Sequence, residues 1–244
     1  MPSSTLQHHP IIDSAYGFSA TRIENLGASE YTLAVVTADV SGSVHEFLDE
    51  IEGCLREVVK ACARSPRADN LLLRTTAFDD QVREIHGFRP LTGCLLSDYE
   101  GCLRTGGTTA LHDAAHNALQ SVTAYGRDLG RHGFSVNGIV FVITDGMDNA
   151  SAQSAASVAR AAESALRSEQ LQSISSVLVG VNVADDSVSR YLAELRRTAR
   201  FDQYVEIAHA DADTLARLAD FVARSISAQS VALNSGGVSR PLTF

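Results

Sequence analysis

The chain has 244 residues, 45% of them hydrophobic and 20% charged. That is an ordinary globular composition and enough chain for one large core. The net charge of −9 argues against general nucleic-acid affinity, which needs basic surface to displace counterions. No run approaches the ~18 apolar residues of a membrane span. Met1 to Pro10 does not read as a secretion signal, so the expected setting is the cytoplasm.

Residues 1–30 read as an irregular arm whose Ile11, Ile12, Tyr16, Phe18 and Ile23 pack on the domain surface. The apolar run Tyr31 to Val36 is a buried strand and leads into Asp39-Val40-Ser41-Gly42-Ser43. Val44, Leu48, Ile51, Leu55, Val58, Val59 and Cys62 then recur at helical spacing. Ser43 is placed to cap that helix, Glu46 completes a capping box, and Pro66 stops the helix beyond Cys62.

Asn70 to Phe78 and Gln81 to Gly87 read as strands joined by an Asp79-Asp80 turn. Residues 88–108 read as a loop ending in Thr105-Gly106-Gly107-Thr108. A second helix carries Leu111, Ala115, Ala118, Leu119 and Val122 on one face. The strand Val136 to Thr144 runs into Asp145-Gly146, and an Ala-rich helix spans about Ser151 to Glu169. A strand Ile174 to Gly180, a helix Ser187 to Ala199, a strand Phe201 to Ile207 and a helix Ala212 to Ser227 complete the order. The Ser/Gly/Asn-rich tail, Ala228 to Phe244, is expected to be mobile or to wrap a neighbour. Alternating strands and helices imply one α/β domain over residues 31–227, its mostly parallel sheet covered on both faces.

In such a sheet the carboxyl ends of the strands meet along one edge, where ligands bind. Asp39, Ser41 and Ser43 come from the first turn, Thr108 or Thr109 from the Gly-Gly loop, and Asp145 from a later strand end. Two carboxylates and three hydroxyls suit a hard divalent cation. Magnesium prefers near-octahedral oxygen coordination at ~2.0–2.1 Å and keeps some water. Any one hydroxyl alone is better read as a cap or turn residue. As a set they point to metal, because two buried carboxylates without a cation repel and resist ionisation.

The segments D-V-S-G-S, G-G-T-T-A-L-H-D-A and V-I-T-D-G-M-D-N, in that order, resemble the von Willebrand factor A domain. They match its metal-ion-dependent adhesion site, written D-x-S-x-S with a distant Thr and a distant Asp. The resemblance covers roughly Tyr31 to Ser225. It implies a doubly wound, six-stranded α/β sheet with one antiparallel edge strand, here Gln81 to Gly87. It implies direct ligation by Ser41 and Ser43, and Asp39 and Asp145 acting mainly through water. Thr109 fits the family's threonine, with Thr108 the neighbouring alternative. The implied cation is Mg2+, with Mn2+ or Ca2+ also admissible. The implied activity is protein binding without catalysis, a partner's Asp or Glu completing the coordination. Bacterial domains of this kind resemble helpers of AAA+ ATPases or components of kinase and phosphatase clusters. Arginine-heavy usage, with Lys60 the single lysine, hints at a GC-rich bacterial source.

Other features carry less. His112 and His116 sit at i and i+4, as in H-E-x-x-H zinc proteases, but an Asp replaces the Glu base. Asp148-Asn149 are expected to shape the loop beside the site, and His45 to lie on a helix surface or face a ligand. Cys54, Cys62, Cys94 and Cys102 read as structural thiols, although Cys94 and Cys102 share one loop-rich stretch where they could pair or bind metal, and Arg196, Arg197 and Arg200 read as a solvated helix face. No phosphate-binding G-x-x-x-x-G-K-[ST] loop or G-x-S-x-G nucleophile elbow occurs. The rival functions are a metal-dependent phosphoester hydrolase and a structural assembly protein built through the arm or tail.

Overall fold

A computed structural model describes residues 6–183, 185–235 and 242–244. The strands are β1 (Leu6–His9), β2 (Phe18–Thr21), β3 (Glu30–Asp39), β4 (Leu71–Phe78), β5 (Val82–Pro90), β6 (Ser135–Thr144), β7 (Ile174–Gly180) and β8 (Gln203–Glu206). The helices are α1 (Leu48–Ala63), α2 (Leu111–Arg131), α3 (Ala155–Leu166), α4 (Asp186–Thr198) and α5 (Ala212–Ser235). The strands form one sheet in the order β1-β2-β5-β4-β3-β6-β7-β8. Strands β4, β3, β6, β7 and β8 run parallel, while β5 is antiparallel to β4.

The period of two along β3 explains the layering. Ala34, Val36 and Ala38 join a core with α1 and α5, including Leu55, Val59, Phe221 and Val222. Tyr31, Leu33 and Val35 join the opposite core with α2, α3 and α4, including Leu119, Val122, Ala161 and Leu192. A strand buried on both faces reads as a continuous apolar run, as the Leu33–Val36 segment does.

The chain leaves β3 toward β4 on one side and later returns to β6 on the other. The direction of winding therefore reverses between β3 and β6, and a crevice opens at their carboxyl ends. Asp39 ends β3, and Asp145 immediately follows β6.

Several expectations are corrected. The sheet has eight strands, not six, because the N-terminal arm adds β1 and β2. β2 pairs with β5 through Ala20 and Phe88, so the antiparallel β5 is not the edge. The 88–108 stretch contains the end of β5 and two 3-10 turns, Leu91–Gly93 and Leu96–Tyr99.

The last helix runs to Ser235, past the expected stop at Ser227. Gln229 and Ser230 are fully buried there. The Gln229 side-chain amide donates to Gly138 O (3.1 Å) and Ser173 Oγ (2.8 Å), and its backbone carbonyl accepts from Asn137 Nδ2 (2.6 Å). These polar anchors hold the helix where the sequence looks like tail. The remaining part of the expected tail, 236–241, lies outside the described residues.

Candidate metal centre

Asp39 is 1% exposed. Its Oδ1 accepts from the Ser41 amide at 2.8 Å, and its Oδ2 from Thr144 Oγ1 at 2.6 Å. Burial pushes its carboxyl up to about 6; those hydrogen bonds oppose the shift and the nearby Asp145 adds to it. Burial likewise raises Asp145, with the Ser43 hydroxyl counteracting. Asp145 Oδ1 is buried and has no hydrogen-bond partner.

Ser43 does not cap a helix. Gly42–Phe47 form a 3-10 turn with Ser41 at its N-terminal flank and no side-chain capping bond, and α1 starts only at Leu48. The expected capping box with Glu46 is therefore absent. Ser41 Oγ and Ser43 Oγ lie 3.3 Å apart.

Backbone bonds hold the Gly-Gly loop against this turn. The Gly106 amide donates to Val40 O at 3.0 Å, and the Ala110 amide to Asp79 O at 2.6 Å. Gly107 has φ +68°, and a Cβ there would lie 2.7 Å from Asp80 Oδ1, so glycine is needed. Thr109 is buried, whereas Thr108 is exposed. The Thr109 amide donates to Asn149 Oδ1 at 2.7 Å, and its carbonyl accepts from the amides of Asn149 (3.0 Å) and Ala150 (3.2 Å). Residue 109 is thus tied to the loop that follows Asp145.

The same loop is fixed from α2. The Asp113 carboxylate accepts from the Ala152 and Gln153 amides at 3.2 and 2.7 Å. These bonds hold 152–153 in a non-helical path, and α3 starts at Ala155 under a Ser154 cap rather than at Ser151. Asp148 accepts from the His112 amide at 3.1 Å and faces His112 Nδ1 at 3.4 Å, while Tyr191 Oη lies 3.2 Å from His112 Nε2. His112 is thereby engaged in a loop clamp rather than joined with His116. His45 is exposed, its Nδ1 3.4 Å from Thr105 Oγ1.

All four cysteines are free thiols, three of them buried. No group of three or more His, Cys, Asp or Glu that could hold a metal occurs among the described residues. The edge set differs in kind: two carboxylates, with hydroxyls for the rest. Sequence reasoning misses Thr144 and assigns Asn149 only to the shape of the loop. The role of Thr144 follows from the β3–β6 register, which pairs Ala38 with Ile143 and so brings Asp39 to Thr144.

The topology and this strand-end edge define an α/β protein with a fold of the von Willebrand factor A type. No protein-family model matches the sequence, and no curated protein does. Solved structures do match in fold. One is the pilus adhesin SpaC from Lactobacillus rhamnosus GG, with TM-score 0.61, 11% identity, and coverage of 83% of this chain and 31% of that one. The minor pilin PilB from Streptococcus sanguinis matches with TM-score 0.56, 14% identity, and coverage of 85% and 64%. Proximal thread matrix protein 1 from the mussel byssus, with zinc in its MIDAS motif, matches with TM-score 0.53, 16% identity, and coverage of 83% and 47%. This chain spans between 31% and 64% of the lengths of these proteins.

Proposed function

We propose that this chain is a divalent-cation-dependent protein-binding module. Ser41, Ser43 and Thr109 supply hydroxyl donors, and Asp39 and Asp145 act mainly through water. Magnesium suits this all-oxygen set best; manganese and calcium share its preference for hard donors.

The observation that carries the reading is Asp145 Oδ1, a buried carboxylate oxygen without a partner. It stands beside a second buried carboxylate and two hydroxyls 3.3 Å apart. A buried anion needs a compensating charge or donor. A bound cation supplies positive charge to both carboxylates and, with few direct carboxylate ligands, stays electrophilic toward an Asp or Glu from a partner.

The adhesin and matrix-protein neighbours fit a binding role rather than catalysis. The hydrolase alternative gains nothing, because His112 is committed to Asp148 and Tyr191 and His45 sits exposed beside Thr105. Four free thiols fit a reducing compartment such as the bacterial cytoplasm. AAA+ ATPases and kinase or phosphatase components are the first partners to test. The deciding experiment is calorimetric titration of Mg2+ into the wild-type chain and Asp39→Ala, followed by partner binding with and without EDTA. Saturable Mg2+ binding lost in the variant supports the reading; partner affinity unchanged by EDTA and by the substitution contradicts it.

A further inference from the structure

Beside the candidate metal edge lies a second, differently charged feature. A cleft of about 370 Å³ is lined by Val40, Arg83, Glu84, Asp98 and Arg104 together with apolar side chains. Val40 separates Asp39 from Ser41, and its carbonyl holds the Gly106 amide. The cleft and the candidate metal edge therefore share the chain segments at 40 and 104–107.

The carboxylates in this lining are already used. Glu84 accepts from the buried Arg74 Nε at 2.7 Å and from the Ser19 amide at 2.9 Å. Asp98 is paired with Arg89 and accepts from the Leu95 amide at 3.1 Å. Arg83 grips Asp79 with two bonds, 2.8 and 2.5 Å. Arg104 is exposed and makes no ion pair or side-chain hydrogen bond among the described residues. The cleft thus presents one uncommitted guanidinium, on a chain whose net charge is −9. A partner segment with an acidic group complements it.

We propose that the partner segment carries two carboxylates, one directed to the metal edge and a second received by Arg104 in this cleft. This deepens the protein-binding reading and rests on it. The guanidinium fork suits a planar carboxylate.

The test compares two capped pentapeptides in Mg2+ buffer, pentaglutamate and a glycine peptide with one central Glu. Pentaglutamate is expected to bind roughly fivefold more tightly, the scale of one partly exposed ion pair. Arg104→Glu should erase that preference while leaving single-Glu affinity and the Mg2+-induced thermal shift unchanged, and Arg104→Lys should retain most of it. Equal affinities for the two peptides, or a preference that survives Arg104→Glu, overturn the proposal. If Mg2+ gives the wild-type chain no thermal shift, the metal reading falls by itself. A pentaglutamate preference abolished by Arg104→Glu would then still uphold Arg104 as a carboxylate receptor.

Discussion

Thr144 Oγ1 donates to Asp39 Oδ2 at 2.6 Å, linking the last residues of two adjacent parallel strands at the reversal point of the sheet. The bond orients a carboxylate that is otherwise costly to bury. Thr144→Val keeps the shape and removes the donor. It should destabilise the metal-free protein by about 1–3 kcal/mol. It should also weaken Mg2+ binding roughly tenfold or more, as loss of a ligand-orienting partner does. Urea unfolding in EDTA and a Mg2+ titration read the two effects separately.

Ser43 separates two accounts of the D-V-S-G-S turn. A helix-capping serine replaced by alanine costs about 1 kcal/mol of stability. Here Ser43 lies within the 3-10 turn Gly42–Phe47, and no side-chain capping bond forms at that turn. Ser43→Ala should therefore change metal-free stability by less than about 0.5 kcal/mol while reducing the Mg2+ response. Thermal melts with and without Mg2+ check both halves.

Gly107→Ala forces a β-carbon into a left-handed position against Asp80. The expected cost is about 1–2 kcal/mol. Displacement of the loop should also lower Mg2+ affinity, because Gly106 and Ala110 anchor its two ends. Chemical unfolding and calorimetry check this.

His86 sets an acid limit away from the candidate site. It is buried, with Nδ1 2.9 Å from Gly87 O and Nε2 2.5 Å from Tyr99 Oη, and burial lowers its pKa from 6.5 to about 4. The unfolded imidazole protonates near 6.5, so between 6.5 and 4 the unfolded state binds more protons. Stability is full above that window and falls as pH drops through it, by on the order of 3 kcal/mol. His86→Gln should flatten this part of the stability profile measured by urea unfolding from pH 7 down to about 4.

How far the sequence carries depends on which interactions fix each element. β3 and β6 are legible because burial on both faces leaves the apolar runs Leu33–Val36 and Ile139–Ile143, and α1 and α2 because their apolar positions keep helical spacing. β1 and β2 are not. Each has four residues, β1 is largely polar, and β2 is placed by its pairing to β5 through Ala20 and Phe88. The end of α5 is hidden because Gln229 and Ser230 are polar yet buried, with Gln229 held by bonds to Gly138, Ser173 and Asn137. At the site, Asp39, Ser41, Ser43, Thr109 and Asp145 stand out because strand ends and glycine loops advertise them. Thr144 and Asn149 act through register and loop closure, which no local pattern encodes.

Asp39→Asn in a thermal-shift experiment, with EDTA and with saturating Mg2+, probes the central claim most directly. The amide keeps an acceptor for the Ser41 amide and removes the buried charge. The wild-type melting temperature should rise by roughly 5–10 °C at about 100 times the dissociation constant. The variant should gain nothing from Mg2+, whatever its melting temperature in EDTA, because the amide also alters the bond from Thr144. A variant whose melting temperature rises with Mg2+ as much as that of the wild type would contradict a cation held at this edge.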